Sequence, residues 1–500
     1  MPLVPLDIPP GVYRNGTEYE ARGRWYDTNL VRWREGRLEP VGGWQKWDES
    51  AFDGAARAIM TWRANDSAKY LAVGTHTKLY GSIGGTFYDI TPASFATGRE
   101  HSARGNGYGM DVYGTDNWGE ARSSDLLINA TTWSMDNWGE YLVACSSADG
   151  KIYEWQLSPS TQAAVLSNAP DDNVAIIVTN ERYLVALGAN GNKRKVQWSD
   201  QEDNNTWTPA ATNTAGSLEI ETAGQIRCAR RVGNDILIWT DVDVHLMRYV
   251  GPPFVYGIER VASGAGIVGP KAVTIAGNTA VWLSESGFWQ YDGSIKPLQC
   301  DALLDVTDGI NRVQQGKTYA GHNSEFGEFW FFYPSSDTDD FTGENDKYIV
   351  YNYRLNHWSV GTLARTAWAD QGAFEHPFAI DPDGYMYEHE IGWTNDGATR
   401  VGSVYAESGP VELGQGDRFA VIDRIITDEY DTLSSVKATI GIRNTPQQAE
   451  STQEYTFDQT DGYIDVRLNA RQVQLKLEAI RDDGFKFGTL RMNLKSGSRR

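Results

Sequence analysis

Reactive side chains are plentiful in this sequence, but their spacing assembles no recognisable chemistry. Seven histidines, His76, His101, His245, His322, His357, His376 and His389, show neither the HxH nor the HExxH spacing on which a zinc site is built. Cys145, Cys228 and Cys300 are too few and too scattered for a disulfide framework or a Cys-x-x-Cys pair, which points to a reducing compartment. Gly264-Ala265-Gly266-Ile267-Val268-Gly269 satisfies the GxGxxG pattern. Pro270 and the alternating KAVTIAG follow it, however, where a dinucleotide site needs a helix N-terminus to meet the pyrophosphate. The acidic run DTDDFTGENDK, Asp337 to Lys347, offers carboxylates to a cation, yet Gly343 falls one place later than a calcium loop requires, and a solvated hairpin tip is the favoured reading. No Ser/His/Asp elbow, P-loop or paired-carboxylate motif is legible. The expected sets of catalytic, cofactor-binding and metal-ligating residues are therefore empty, and the chain is expected not to be an enzyme.

One group of residues has the composition of a docking face. Arg32, Trp33, Arg34 and Trp44 are of the types that dominate interface hot spots. They follow a segment in which Pro2, Pro5, Pro9 and Pro10 disfavour helix and favour an extended arm. The competing reading is that these tryptophans close the first of a series of sheets. A second candidate for contact is the stretch 100–140, where DNWGE occurs twice, at Asp116–Glu120 and Asp136–Glu140, with the Gly-rich RGNGYGMDVYG before the first copy. It reads as a rim insertion, the usual place for partners to bind on a repeat architecture, or as a chance duplication in an aromatic-rich chain.

The elements that must position these residues repeat. In AGNTAVWLSESGFWQYDGS, Ala276 to Ser294, an apolar run through Ala280 to Leu283 meets a Ser284-Glu285-Ser286-Gly287 turn, and Phe288, Trp289 and Tyr291 lead into Asp292-Gly293. Period-2 alternation closed by turn residues predicts a hairpin. Related units begin at Tyr70, Tyr141, Tyr183 and Asp235, and the aromatics that close the series are Tyr80, Tyr153, Trp198, Tyr249, Tyr291, Tyr351 and Tyr387. Their successive spacings are 73, 45, 51, 42, 60 and 36 residues. A strand-built repeat of roughly 40 to 50 residues predicts a β-propeller, here of six or seven blades, with insertions where the spacing stretches.

Composition agrees with an all-β chain: 51 glycines, 12% aromatic residues and 22% charged residues suit many short strands joined by turns. The expected organisation is an N-terminal extended arm and first strands (1–50), a propeller (51–404) with the rim insertion, and a C-terminal antiparallel β-sandwich (405–500). The last is read from alternation in RFAVIDRIIT, VKATIGIR, YIDVRLN, VQLKLEAI and FKFGTLRMN. A net charge of −21 argues against a surface that grips phosphates. The charge is uneven, since residues 1–47 carry seven Lys/Arg against six Asp/Glu and leave −22 for the remainder. No apolar window has the length of a signal peptide's core or a bilayer span, so stable membrane insertion is not expected.

This order of parts resembles the tail nozzle, or packaged-DNA stabilisation, proteins of short-tailed bacteriophages. The resemblance rests on NLVRWREGRLEPVGGW from Asn29 to Trp44, on units such as KVQWSDQEDNNTW and GFWQYDG, and on the closing domain ending FKFGTLRMN. It covers nearly the whole chain diffusely and includes no short diagnostic motif. It implies a structural virion protein, assembled in the host cytoplasm and located in the tail. Such proteins form a homo-oligomeric ring, commonly a hexamer, below the portal and adaptor and in contact with fibre or needle proteins. The ring continues the DNA channel and retains packaged DNA without binding it specifically. An acidic wall within a Debye length of a duplex repels its phosphates, in keeping with that role. The rival expectation is a carbohydrate-binding or glycoside-hydrolase propeller, which would gather convergent carboxylates in a central pocket.

Overall fold

The computed structural model describes residues 3–104, 127–413, 419–426, 435–445, 450–457 and 462–496. Among them, seven four-stranded antiparallel sheets follow one another around a ring. Their inner strands, numbered here as blades one to seven, are Ala56–Arg63, Trp133–Trp138, Ala175–Val178, Ile226–Val232, Val273–Ala276, Tyr319–Asn323 and Ala367–Ala369. The fold is therefore an all-β propeller at the upper of the two expected blade counts. All seven closing aromatics, from Tyr80 to Tyr387, fall on the third strand of their blades, which is why their spacing carried the repeat.

Tryptophans cement the blades. Trp133, on the inner strand of blade two, lies over Gly74 of blade one and donates its indole N–H to the Thr75 carbonyl at 2.7 Å. Trp368 of blade seven does the same over Gly321 of blade six, donating to the His322 carbonyl at 2.9 Å. Blades four and five meet through Trp239 and Trp282, edge to face with centroids 5.5 Å apart. Such contacts hide large apolar rings, and the indole N–H groups of Trp133, Trp368 and Trp282 find carbonyl partners while that of Trp239 is buried without one. The ring closes between blades seven and one, whose inner strands lie side by side. Blade seven obtains its fourth strand from the other end of the chain: Trp44–Lys46 pairs with Met386–His389, His389 opposite Trp44.

Two insertions account for the long spacings. Between blades one and two, a short ribbon of Ala103–Arg104 and Leu127–Ile128 leads to and from residues 105–126. The first DNWGE copy lies outside the described residues. The second does not belong to an insertion, because Asp136, Asn137 and Trp138 are part of the inner strand of blade two and Gly139 and Glu140 turn it into the next strand. The insertion thus ends well before 140: Ser134 and Asp136 alternate with Trp133 and Met135 as a strand requires. Between blades five and six the chain adds the helix Leu303–Gly309 and the turn Gln315–Lys317. The GxGxxG stretch runs from the last strand of blade four into blade five and opens no helix.

The C-terminal strands form two sheets, and both borrow from the N-terminus. One orders Leu3–Leu6, Leu490–Ser496, Ala420–Ile426 and Ile464–Ala470. The other joins Trp25–Asn29, Tyr405–Ser408, Gln472–Ala479, Val436–Arg443 and Ser451–Phe457, with Val411–Glu412 also on Gln472–Ala479. Ile422, Ile425, Val436, Ile440, Leu468 and Leu477 are buried at its core. The Pro-led arm therefore lies on its own chain, with Pro5 opposite Arg491 on an edge strand, where a missing N–H is tolerated. The residue ranges 1–50 and 405–500 are interleaved in this body.

Candidate functional site in the central channel

The inner strands surround a channel of about 280 Å³ whose polar lining includes Ser134, Asp136, Arg230, Arg231, Lys271 and Tyr319. An inner strand is a sheet edge, and its unpaired N–H groups need partners. Blade two supplies them to blade three: Ile176 N–H donates to Ser134 Oγ at 2.9 Å and Val178 N–H to Asp136 Oδ2 at 2.8 Å. Asp136 is also bound by Arg231, Nη2 to Oδ1 at 2.8 Å, and by the Asn137 N–H at 2.9 Å. Burial pushes its carboxyl above the usual range, against the pull of Arg231 and these N–H donors. Asp136 is thus held as a structural acceptor between three blades.

The other two cations have no such partner. Among the described residues Arg230 donates only to carbonyls, Nη1 to Ala229 at 2.9 Å and Nη2 to Pro270 at 3.3 Å. Lys271, at the entry to blade five, makes no ion pair among the described residues; it is half-buried and lines the channel. Burial, and then the Arg230 charge, push it down to about 7. Tyr319 is buried, with the backbone of Ile59 and Trp368 beside its hydroxyl, so it spans from blade six toward blades one and seven. Sequence reading missed this group. Its members come from separate blades, and Arg230-Arg231 in a strand carries no motif; three arginines, Arg227, Arg230 and Arg231, within one seven-residue inner strand are the one signal available.

A second charged cluster lies where inner strands begin. Glu344, in the acidic loop of blade six, takes both Arg57 Nη atoms at 2.6 Å and the Lys317 ammonium at 2.7 Å, while Lys317 also meets His101 Nδ1 at 2.8 Å. Burial raises the Glu344 carboxyl, but Arg57, His101 and Lys317 outweigh it and hold it well below the usual range. Burial and Arg57 push Lys317 down to about 8 despite Glu344. Three of the other four loop carboxylates go to separate partners: Asp337 to Lys347, Asp339 to the N–H groups of Phe341 and Thr342, and Asp346 to Ser335. No group of three or more metal-ligating side chains forms among the described residues.

The expected docking residues are mostly interior. Arg32 is 4% exposed and bridges Glu328, through Nε and Nη2 at 3.0 Å, and Glu390, through Nη2 at 2.6 Å. Trp33, 2% exposed, packs edge-on to His357 at 5.5 Å. Trp44, 5% exposed, stacks on His389 and donates its indole N–H to Asn395 Oδ1. Arg34 alone of the four is exposed. The tryptophan of this group that closes a blade is Trp44, and the blade is the last rather than the first.

No protein-family model matches the chain, and no curated protein matches it. Among solved structures, a streptogramin B lyase aligns with a TM-score of 0.39 at 12% identity, over 70% of this chain and 97% of that one. The N-terminal domain of Nup159 aligns at 0.35 and 10% identity, over 73% and 98% of the two chains. An exo-beta-1,3-galactanase from Phanerochaete chrysosporium aligns at 0.29 and 8% identity, over 91% and 100%. Likeness at this level says nothing about chemistry.

Proposed function

We propose that the protein is a structural subunit of a bacteriophage tail, one copy of a ring that continues the DNA channel below portal and adaptor and retains packaged DNA until ejection. The nozzle itself is supplied by the resemblance of the sequence. The observation that favours a scaffold over the rival glycosidase is the state of Asp136: the carboxylate lining the channel is tied to Arg231 and to backbone N–H groups, and cations surround it. A glycosidase needs two carboxyl groups flanking a bond, one free to give a proton. In this reading a duplex runs along the axis of the ring, since a cavity of about 280 Å³ inside one propeller admits only a small molecule. The surplus of acid, −21 per copy, keeps phosphates from sticking to the wall.

Electron microscopy and native mass measurement of the purified chain, alone and with tail components, test the proposal. The expected result is a closed ring, six copies being the first expectation, seated on the DNA path. A persistent monomer in the presence of its partners overturns it. So does reproducible depolymerisation of a bacterial surface polysaccharide that one carboxylate substitution abolishes.

A further inference from the structure

The cationic channel stands out in a chain whose net charge is −21. Its lining holds Arg230, Arg231 and Lys271 against the single carboxylate Asp136, and Asp136 is already matched to Arg231. Arg230 cannot shed its proton. Carbonyls are the sole hydrogen-bond acceptors of one cation and the other has no protein acceptor among the described residues, so their repulsion is relieved either by loss of the Lys271 proton or by entry of a counter-charge that keeps the ammonium charged. The space has small-ligand dimensions, and the donors that line it differ usefully: a planar guanidinium fixed by the Ala229 and Pro270 carbonyls, and a flexible ammonium on the same wall.

We propose that the central channel of the propeller is a binding site for a small tetrahedral oxyanion of the phosphate or sulfate type, held between Arg230 and Lys271. The ligand neutralises the two unmatched charges and ties blade four to blade five, which meet there through the Arg230 contact to Pro270. The charged or titratable groups that act on Lys271 are Arg230 and Cys228 from blade four; Asp136 from blade two, Arg231 from blade four and Tyr319 from blade six line the same channel. Blades one and three present Ile59, Met60, Ile176 and Ile177, which carry no charge. With Lys271 titrating at about 7, occupancy falls as pH rises through that value, because the neutral amine attracts no anion. The site does not depend on ring assembly and is testable on the isolated chain.

Isothermal titration with sulfate, whose charge is constant across neutral pH, is the direct test, with chloride at matched ionic strength as the control and inorganic phosphate as the second ligand. Saturable one-to-one binding to the full chain is expected. Lys271→Met should weaken it about ten- to a hundred-fold, the loss of one charge-assisted contact. Lys271→Arg should bind sulfate and lose the decline in affinity through neutral pH. The proposal is overturned if wild-type protein gives no saturable sulfate heat, or if Lys271→Met binds like wild type. Should Lys271→Met fail to fold, the arginine variant decides: an affinity that falls with pH as steeply as the wild type's rejects Lys271 as the anion's partner.

Discussion

Glu344 holds Arg57 and Lys317 in one buried cluster, and removing its charge strands both. Breaking a buried ion pair from one side costs about 3–5 kcal/mol, so Glu344→Gln should lose about that much in urea unfolding. The folded carboxyl titrates below its ordinary 4.5, so between the two values the unfolded chain binds the proton and the folded chain does not. The stability it contributes is therefore whole above pH 4.5 and declines as pH falls toward the depressed value. Wild type and Glu344→Gln should converge in stability as the titration proceeds into acid, and a constant gap would reject the assignment. Lys317 acts in the opposite window: its folded value of about 8 lies below the ordinary 10.5, so its contribution becomes more favourable as pH rises between them. Arg32 makes the same point without a titration. Arg32→Met leaves Glu328 and Glu390 facing each other in the interior and should cost about 3–5 kcal/mol, with no need of any partner protein to see the effect.

At the scale of the element, blade-to-blade packing depends on the absence of a side chain. A Cβ on Gly321 would stand 2.3 Å from the Trp368 ring, and one on Gly74 would stand 2.4 Å from Trp133. Gly321→Ala should cost about 1–3 kcal/mol through overpacking, measured by chemical denaturation, and a neutral result would show that blade seven shifts freely. The closing strand matters more than the arm that precedes it. Trp44→Ala removes a buried indole from the seam that shuts the ring and should cost about 3–5 kcal/mol. Deleting residues 1–8 uncovers the Leu490–Ser496 edge and removes the partly buried Leu6 and Ile8, so the melting temperature should fall, but by less than Trp44→Ala lowers it.

At the scale of the whole molecule, both chain ends meet in one sandwich and the propeller is shut by a strand that precedes it. Cutting at the boundaries read from sequence therefore damages both bodies. A 51–404 fragment lacks Trp44–Lys46, and a 405–500 fragment exposes the edges that Leu3–Leu6 and Trp25–Asn29 cover. Both fragments should aggregate or show poorly dispersed amide spectra, because open sheet edges seek other chains. Adding a peptide of residues 1–30 should restore dispersion to the C-terminal fragment. Well-folded fragments without it would mean that the borrowed strands are dispensable.

The blades were legible because each is written locally: alternation within a strand, turn residues between strands and an aromatic at a fixed place decide a hairpin without reference to the rest of the chain. The five C-terminal strands were readable for the same reason, whereas STQEYTF, the exposed strand Ser451–Phe457, has no apolar alternation and escaped notice. What the tertiary structure alone decided is whatever depends on pairing across hundreds of residues. Trp44 opposite His389, Arg32 between Glu328 and Glu390, and Arg230 beside Lys271 bring together groups whose own sequence surroundings are ordinary. The composition of Arg32, Trp33, Arg34 and Trp44 suits an interface and a core equally, since both bury aromatic rings and match a guanidinium to carboxylates. Only the closure of the ring, which turns those side chains inward, separates the two.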